Sequence, residues 1–162
     1  MNGQRYEASE SRERLVLASA ALENAADPSL ICYLPDDDDT PVSILYVNRA
    51  FTATFGYSFE ETIGRSPRML MGPDTDPEVF PRMRAGAHAG IPQNELMVLY
   101  TANGERLHIE YRSREIDAAH HIVFLRDITL WKSAHDVFAE ATQRLDSIFS
   151  NNPDPIFVLD KN

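Results

Sequence analysis

The sequence predicts an α+β fold, a five-stranded antiparallel sheet with short helices on one face and a linker helix at each end. Three observations carry this. Two short apolar segments flank a proline-bounded polar turn near the start. Three more lie beyond residue 93, two of them joined by an Asn-Gly pair. Between the two groups, capping residues and glycines break the chain into brief helical words.

In chain order, residues 7–26 are strong helix formers with Leu15, Ala18, Leu22 and Ala25 at helical spacing, an amphipathic helix that Asp27-Pro28 ends. SLICYL (29–34) reads as a strand, PDDDDTP (35–41) as a turn and ILYV (44–47) as the return strand. Phe51 and Phe55, four residues apart, share one face of a short helix that Gly56 terminates. Ser58-Phe59-Glu60-Glu61 has capping-box spacing and opens another, closed by Ile63-Gly64.

GRSPRMLMGPDTDP (64–77) follows. Its Thr75-Asp76-Pro77-Glu78 predicts a helix start that runs to Ala87 or His88. Strands are expected over 94–101, 106–116 and 121–126, with a hairpin turn at Ala102-Asn103-Gly104. From Thr129 the chain is helical, and Leu130, Ala134, Val137, Ala141, Leu145 and Ile148 form a nearly heptad seam. FSNNPDPIFVLD (149–160) repeats the pattern of LENAADPSLICYL (22–34), so a second copy of the unit is expected to begin there. The expected organisation is an N-terminal helix at 1–26, one domain at 27–129, a helical coiled-coil-like linker at 130–150 and the start of a truncated second domain at 151–162.

The chain has 162 residues, 43% hydrophobic and 25% charged, the balance of a globular protein. No apolar run approaches the roughly 20 residues of a membrane span, and the charged opening residues do not read as a secretory signal. A cytoplasmic chain is the expectation. A net charge of −10 disfavours nucleic acid and anionic lipid as partners. The single cysteine, Cys32, excludes an internal disulfide and reads as a buried, inert thiol in a strand.

No catalytic constellation emerges. His120 and His121 near Asp117 are adjacent on a strand and so point to opposite faces, which argues for a polar hairpin turn rather than a metal site. PDDDDTP lacks the spacing and glycine of a calcium loop. No metal site is expected, and no phosphate-cradling glycine loop or nucleophile elbow is present.

ILYVNRAF, FGYSFEETIGR, the hairpin around YTANGER and FLRDITLWK, in that order, resemble the successive signatures of a PAS domain over roughly residues 22–132. Within that family, GRSPRMLMGPDTDP is similar to a variant common in bacterial proteins with diguanylate cyclase and phosphodiesterase modules, and to the LOV photosensor word GRNCRFLQ. The resemblance implies a PAS fold and a sensory, non-enzymatic domain of a longer signalling protein. Its missing output would be a cyclic-di-GMP enzyme or a histidine kinase.

Where the LOV word carries its flavin-reactive cysteine stands Pro67, and Met71 stands at its cofactor-bonding glutamine. Three further polar flavin contacts of that family would fall at Leu99, Ile109 and Leu125, all aliphatic. Each unmatched polar group of a flavin edge costs about 1–3 kcal/mol, so neither flavin nor, with His88 as the one available helix histidine, haem is expected.

The expected site is a pocket for a small apolar ligand lined by Phe51, Phe55, Met69, Leu70, Met71, Phe80, Met83, Leu99, Ile109 and Leu125. The same residues would equally make a filled core, leaving a ligand-free dimerisation and relay module as the alternative. Asp127-Ile128-Thr129 matches the family's exit word. Thr129 reads as an N-cap that fixes the entry of the output helix, whose seam would join two copies in a homodimer.

Overall fold

The computed structural model describes residues 2–37 and 40–150, with side chains from 12 to 147; the expected second copy and the side chain of Ile148 lie outside the described residues. The chain divides into two units, one ending at Ile128 and one beginning at Thr129.

In the first unit, α1 (Asn2–Glu23) precedes β1 (Ser29–Tyr33) and β2 (Ser43–Val47). Three short helical pieces follow: α2 (Arg49–Phe55), α3 (Phe59–Thr62) and a 3-10 turn (Pro67–Leu70). Then come α4 (Val79–His88), β3 (Gln93–Tyr100), β4 (Arg106–Asp117) and β5 (His120–Asp127). The five strands form one sheet of order β2-β1-β5-β4-β3, antiparallel throughout. This is the α+β architecture that the sequence predicts. The β1–β2 hairpin and the three-stranded meander β3–β4–β5 are joined edge to edge by the pairing of β1 with β5, and the helices between them in sequence cover the inner face.

Local sequence explains most boundaries. Asn48 caps α2: its Oδ1 accepts the N–H of Phe51 at 3.0 Å, and Gly56, at φ +76°, ends the helix in the left-handed region. The predicted capping box forms, with the Glu61 N–H donating to Ser58 Oγ at 3.2 Å and the Ser58 N–H to Glu61 Oε2 at 2.9 Å. The Ser58 N–H, with the Ser58 hydroxyl beside it, holds the exposed Glu61 carboxyl below the usual carboxylate range. Gly72 lies where any Cβ would run into the Tyr100 ring, 2.2 Å from its Cδ2, so a side chain there would displace the tyrosine.

Asn48 also joins distant segments. Its Oδ1 accepts the Ser29 N–H at 2.9 Å, and its Nδ2 donates to the carbonyls of Leu22 and Asp27 at 3.2 and 3.1 Å. At 1% exposure it fixes the chain entering β1 against the start of α2.

Three expectations need correction. The fourth helix begins at Val79 rather than near Thr75, because the Thr75 hydroxyl is committed elsewhere. It accepts the Gly72 N–H at 3.0 Å and donates to the Val98 carbonyl at 2.7 Å, tying the loop to β3. Thr129 is the first helical residue of α5 (Thr129–Ser150) rather than its cap, and its carbonyl accepts the Ser133 hydroxyl at 2.9 Å. The stripe on α1 is not a core face: Leu15 is 71% exposed, and only the end of the helix, around Leu22, is half-buried.

Candidate functional site

The inner face of the sheet divides into a packed part and a hollow one. In the packed part, Phe51 and Phe55 lie with ring centroids 5.0 Å apart beside Ile44 and Ile109, all four fully buried. The hollow part is a cavity of about 450 Å³. Its floor is the inner face of β1, β5, β4 and β3, from Leu30, Cys32, Val123, Leu125, Tyr111, Ser113, Met97 and Leu99. Its roof is α4, through Phe80, Met83, Arg84 and Ala87, and its rim the 3-10 turn and the β1–β2 turn, through Ser66, Pro67, Arg68, Leu70 and Thr40–Val42.

Of the ten pocket residues expected from the sequence, Leu70, Phe80, Met83, Leu99 and Leu125 line the cavity. Phe51, Phe55 and Ile109 do not: large and wholly enclosed, they are the packed core beside it. Met69 and Met71 flank Leu70 on the turn and are half-buried outside the lining. The 3-10 turn ends at Leu70 and Met71 continues in extended backbone, so the three consecutive side chains diverge and only the middle one reaches the cavity.

Sequence reasoning missed the polar part of the wall. Ser113 and His121 line the cavity at 3% and 7% exposure, and Tyr111 lies two residues before Ser113 on the same face of β4. The available signal was the alternation along each strand. Leu107, Ile109, Tyr111 and Ser113 share one face of β4, and His121, Val123 and Leu125 one face of β5. The adjacent histidines do face opposite ways. His120 turns outward, its Nδ1 2.7 Å from Asp117 Oδ1, while His121 turns into the cavity.

Burial sets the protonation of this wall. It pushes the Cys32 thiol up to about 12 and raises the Tyr111 phenol, against which a hydrogen bond with Ser113 acts. Burial likewise lowers His121, with His88 adding to the effect and the Glu115 carboxylate opposing it.

The bases lining the cavity are Arg68, Arg84 and His121; among the described residues no aspartate or glutamate lines it, in a chain with 25 acidic side chains against 15 lysines and arginines. Arg68 stacks over the Phe80 ring at 5.8 Å. The Arg84 guanidinium donates to the carbonyls of Pro35 and Thr40, each at 3.3 Å, and of Asp37, holding the β1–β2 turn over the opening. The arrangement can take a guest with an apolar body and a negatively charged end.

The expected exit follows β5. Leu125 lines the cavity two residues before Asp127, and the Ile128 N–H donates to the His108 carbonyl at 2.9 Å. In α5, the seam residues Leu130, Val137 and Leu145 are exposed at 87%, 68% and 54%, and Ala134 and Ala141 are exposed beside them. Among the described residues no three His, Cys, Asp or Glu side chains come together as a metal-ligating group, and no helix is long and apolar enough to cross a membrane.

A PAS domain family model matches residues 28–130. A blue-light-activated histidine kinase of Brucella anthropi is 34% identical over 117 residues, 69% of this chain and 23% of that protein. Blue-light-activated histidine kinase 1 of Erythrobacter litoralis is 38% identical over 68 residues, 42% of this chain and 19% of that protein. This chain thus spans less than a quarter of the length of either relative.

Among solved structures, the LOV domain of an Erythrobacter litoralis blue-light-activated histidine kinase superposes with TM-score 0.58 at 25% identity, over 65% of this chain and 99% of that one. A light-oxygen-voltage domain described through a flavin analogue has TM-score 0.61 at 21% identity, over 78% of this chain and 96% of that one, a likeness of fold.

These relatives overturn the expectation against a flavin. The physical premise of that expectation also fails, because it asked for polar groups only at Met71, Leu99, Ile109 and Leu125. The folded chain brings Tyr111, Ser113 and His121 to the cavity wall instead.

Proposed function

This chain belongs to the PAS domain family, and from that premise we propose that it is a cytoplasmic sensory module whose cavity binds a small planar ligand. The single observation that carries this reading is the cavity of about 450 Å³ beneath an otherwise close-packed sheet, walled mainly by apolar side chains, with bases and, among the described residues, no carboxylates in its lining. Apolar wall left facing water in an open cavity is unfavourable, at about 25 cal/mol per Å², and a guest that covers it offsets the cost. Pockets for small ligands and cofactors typically measure about 300–1,000 Å³.

A flavin nucleotide is the ligand that the relatives favour, and the residues present fit one. Leu30, Met97, Leu99, Val123 and Leu125 would hold the ring faces, Ser113 and His121 its polar edge, and Arg68 and Arg84 an anionic tail. When bound, a flavin would supply absorption of blue light. Pro67, at the cavity rim, has no nucleophilic atom, and the thiol in the lining is Cys32 on β1.

Occupancy would be passed on through Leu125, along β5 to Asp127-Ile128-Thr129 and into α5. Its exposed seam of Leu130, Ala134, Val137, Ala141, Leu145 and Ile148 would pair in a homodimer. Histidine kinases among the relatives favour a kinase over a cyclic-di-GMP enzyme as the output of the longer protein.

The test is titration of the purified chain with flavin mononucleotide, followed by fluorescence quenching, together with native mass spectrometry of the chain as isolated. Saturable quenching, or a co-purifying small molecule, is the expected result. A bare chain that neither quenches the flavin nor shifts its melting temperature across a metabolite panel would overturn the ligand reading. It would leave the second reading, a ligand-free dimerising relay, which rests on the exposed apolar seam of α5.

A further inference from the structure

We propose that Ser113 and His121 are the specificity-determining pair of this cavity: together they bind the acceptor–donor–acceptor edge of a planar heterocycle, the edge that a flavin ring carries. The inference rests on the ligand reading above and adds which residues read the ligand and in which protonation state.

Register places the pair. Ser113 pairs with Val123 across β4 and β5, so His121, two residues along β5, lies diagonal to Ser113 on the same inner face. Diagonal neighbours in an antiparallel sheet lie about 7–8 Å apart at the backbone, close enough for the two side chains to grip one edge of a bicyclic or tricyclic ring. Both residues also line a second, smaller cavity of about 220 Å³ with Gly90, Ile91 and Pro92, so the pair forms the partition between the two spaces.

The hydrogen-bonding capacity of the pair matches such an edge. A neutral imidazole offers one donor and one acceptor, and a serine hydroxyl offers both. The Tyr111 phenol lies on the same face of β4, two residues before that hydroxyl. Among the described residues no hydrogen bond or ion pair occupies the ring of His121, a residue 7% exposed on the cavity wall, so its nitrogens are open to a ligand edge. Besides Tyr111, the inner-face side chains that β4 and β5 bring to the lining around the pair are the aliphatic Val123 and Leu125.

The protonation state follows from the surroundings. Facing His121 are Cys32 opposite on β1, Glu115 opposite on β4, Asp117 and Tyr111 elsewhere on β4, His120 beside it on β5, and Arg84 and His88 from α4. Arg114 borders the smaller cavity behind it. Burial and the neighbouring histidine favour the neutral ring, which keeps an acceptor for the N–H at the centre of the ligand edge. Protonation would turn that acceptor into a second donor, so binding should weaken as pH falls.

Riboflavin is the probe, because it carries the ring edge without a phosphate that titrates or pairs with arginine. The chain is titrated with riboflavin and with flavin mononucleotide at several pH values, using wild type, Ser113→Ala, His121→Ala and His121→Asn. Thermal melts confirm that each variant is folded. Expected is about tenfold weaker riboflavin binding for each hydrogen bond lost, which is about 1.4 kcal/mol. Wild-type affinity should be flat at and above pH 6.5, the ordinary histidine value, and fall only as pH drops through the depressed value of the folded chain. His121→Asn, which keeps a donor and an acceptor but does not titrate, should retain most of the affinity and lose the acid limb.

Unchanged riboflavin affinity in folded Ser113→Ala and His121→Ala would overturn the proposal while leaving the cavity as a flavin site. So would a flat wild-type profile across acid pH, even if an alanine variant failed to fold. If wild type binds neither probe, this proposal and the ligand reading fall together.

Discussion

The part of the core that α2 packs and the part that α4 roofs face the same sheet, yet one is solid and the other hollow. Under α2, Phe51 and Phe55 contribute two large rings at one helical spacing, and Ile44 and Ile109 close around them with no exposed surface. Under α4, the sheet contributes Cys32 and Ser113 and the helix contributes Ala87, side chains too short to meet across the gap. Apolar burial decides the first part. In the second, small and polar side chains leave a volume that a guest can occupy, and the two parts should respond to mutation in opposite ways.

The largest effect belongs to the packed part. Phe51→Ala should destabilise the fold by about 4 kcal/mol, the usual cost of emptying a buried phenylalanine site, measured by urea denaturation. A loss near 1 kcal/mol would mean that this part is not close-packed and the contrast is false. Asn48→Ala should cost about 3 kcal/mol, because it leaves the buried N–H groups of Ser29 and Phe51 without their acceptor.

In the hollow part the sign should reverse. Ser113→Leu adds apolar volume where there is space, and is expected to stabilise the ligand-free chain by about 1 kcal/mol while abolishing flavin binding. Binding that survives this substitution would remove the cavity from the ligand site. Acid should likewise act on the hollow part. The histidine at 121 is held below its ordinary value, so the unfolded chain takes up its proton first. Stability is full above pH 6.5 and declines as pH falls through the depressed folded value. Melting temperatures across this range should dip in wild type, with a shallower dip in His121→Asn.

The smallest effect is chemical and leaves stability untouched. With its thiol raised from 9.0 to about 12, Cys32 should react with a maleimide roughly a thousandfold more slowly in the native chain than in urea. Rapid native labelling would show the cavity open to solvent at its β1 wall.

Much of this molecule was legible along the chain because the signals were local. The strands followed from short apolar runs, the β3–β4 turn from Asn103-Gly104, and the capping box from the spacing of Ser58 and Glu61. Elsewhere a side chain had two roles open to it and the sequence could not choose. Thr75 had the form of a cap but bonds across to β3, and Leu15 had the spacing of a core residue but is exposed. The methionines around Leu70 looked like a pocket wall, yet only their neighbour reaches the cavity.

By itself, then, the sequence determined the α+β class, the order of the elements and the words that tie the chain to its family, because periodicity, caps and turn residues act within a few positions of one another. Only the tertiary structure decided which part of the core is full. That depends on which side chains meet across the sheet: Ser113 diagonal to His121, Cys32 opposite it, and Ala87 above in α4. These residues are far apart in sequence, and each is unremarkable alone. A cavity is a property of the distance between surfaces, and that distance exists only once the strands have paired and the helix has closed over them.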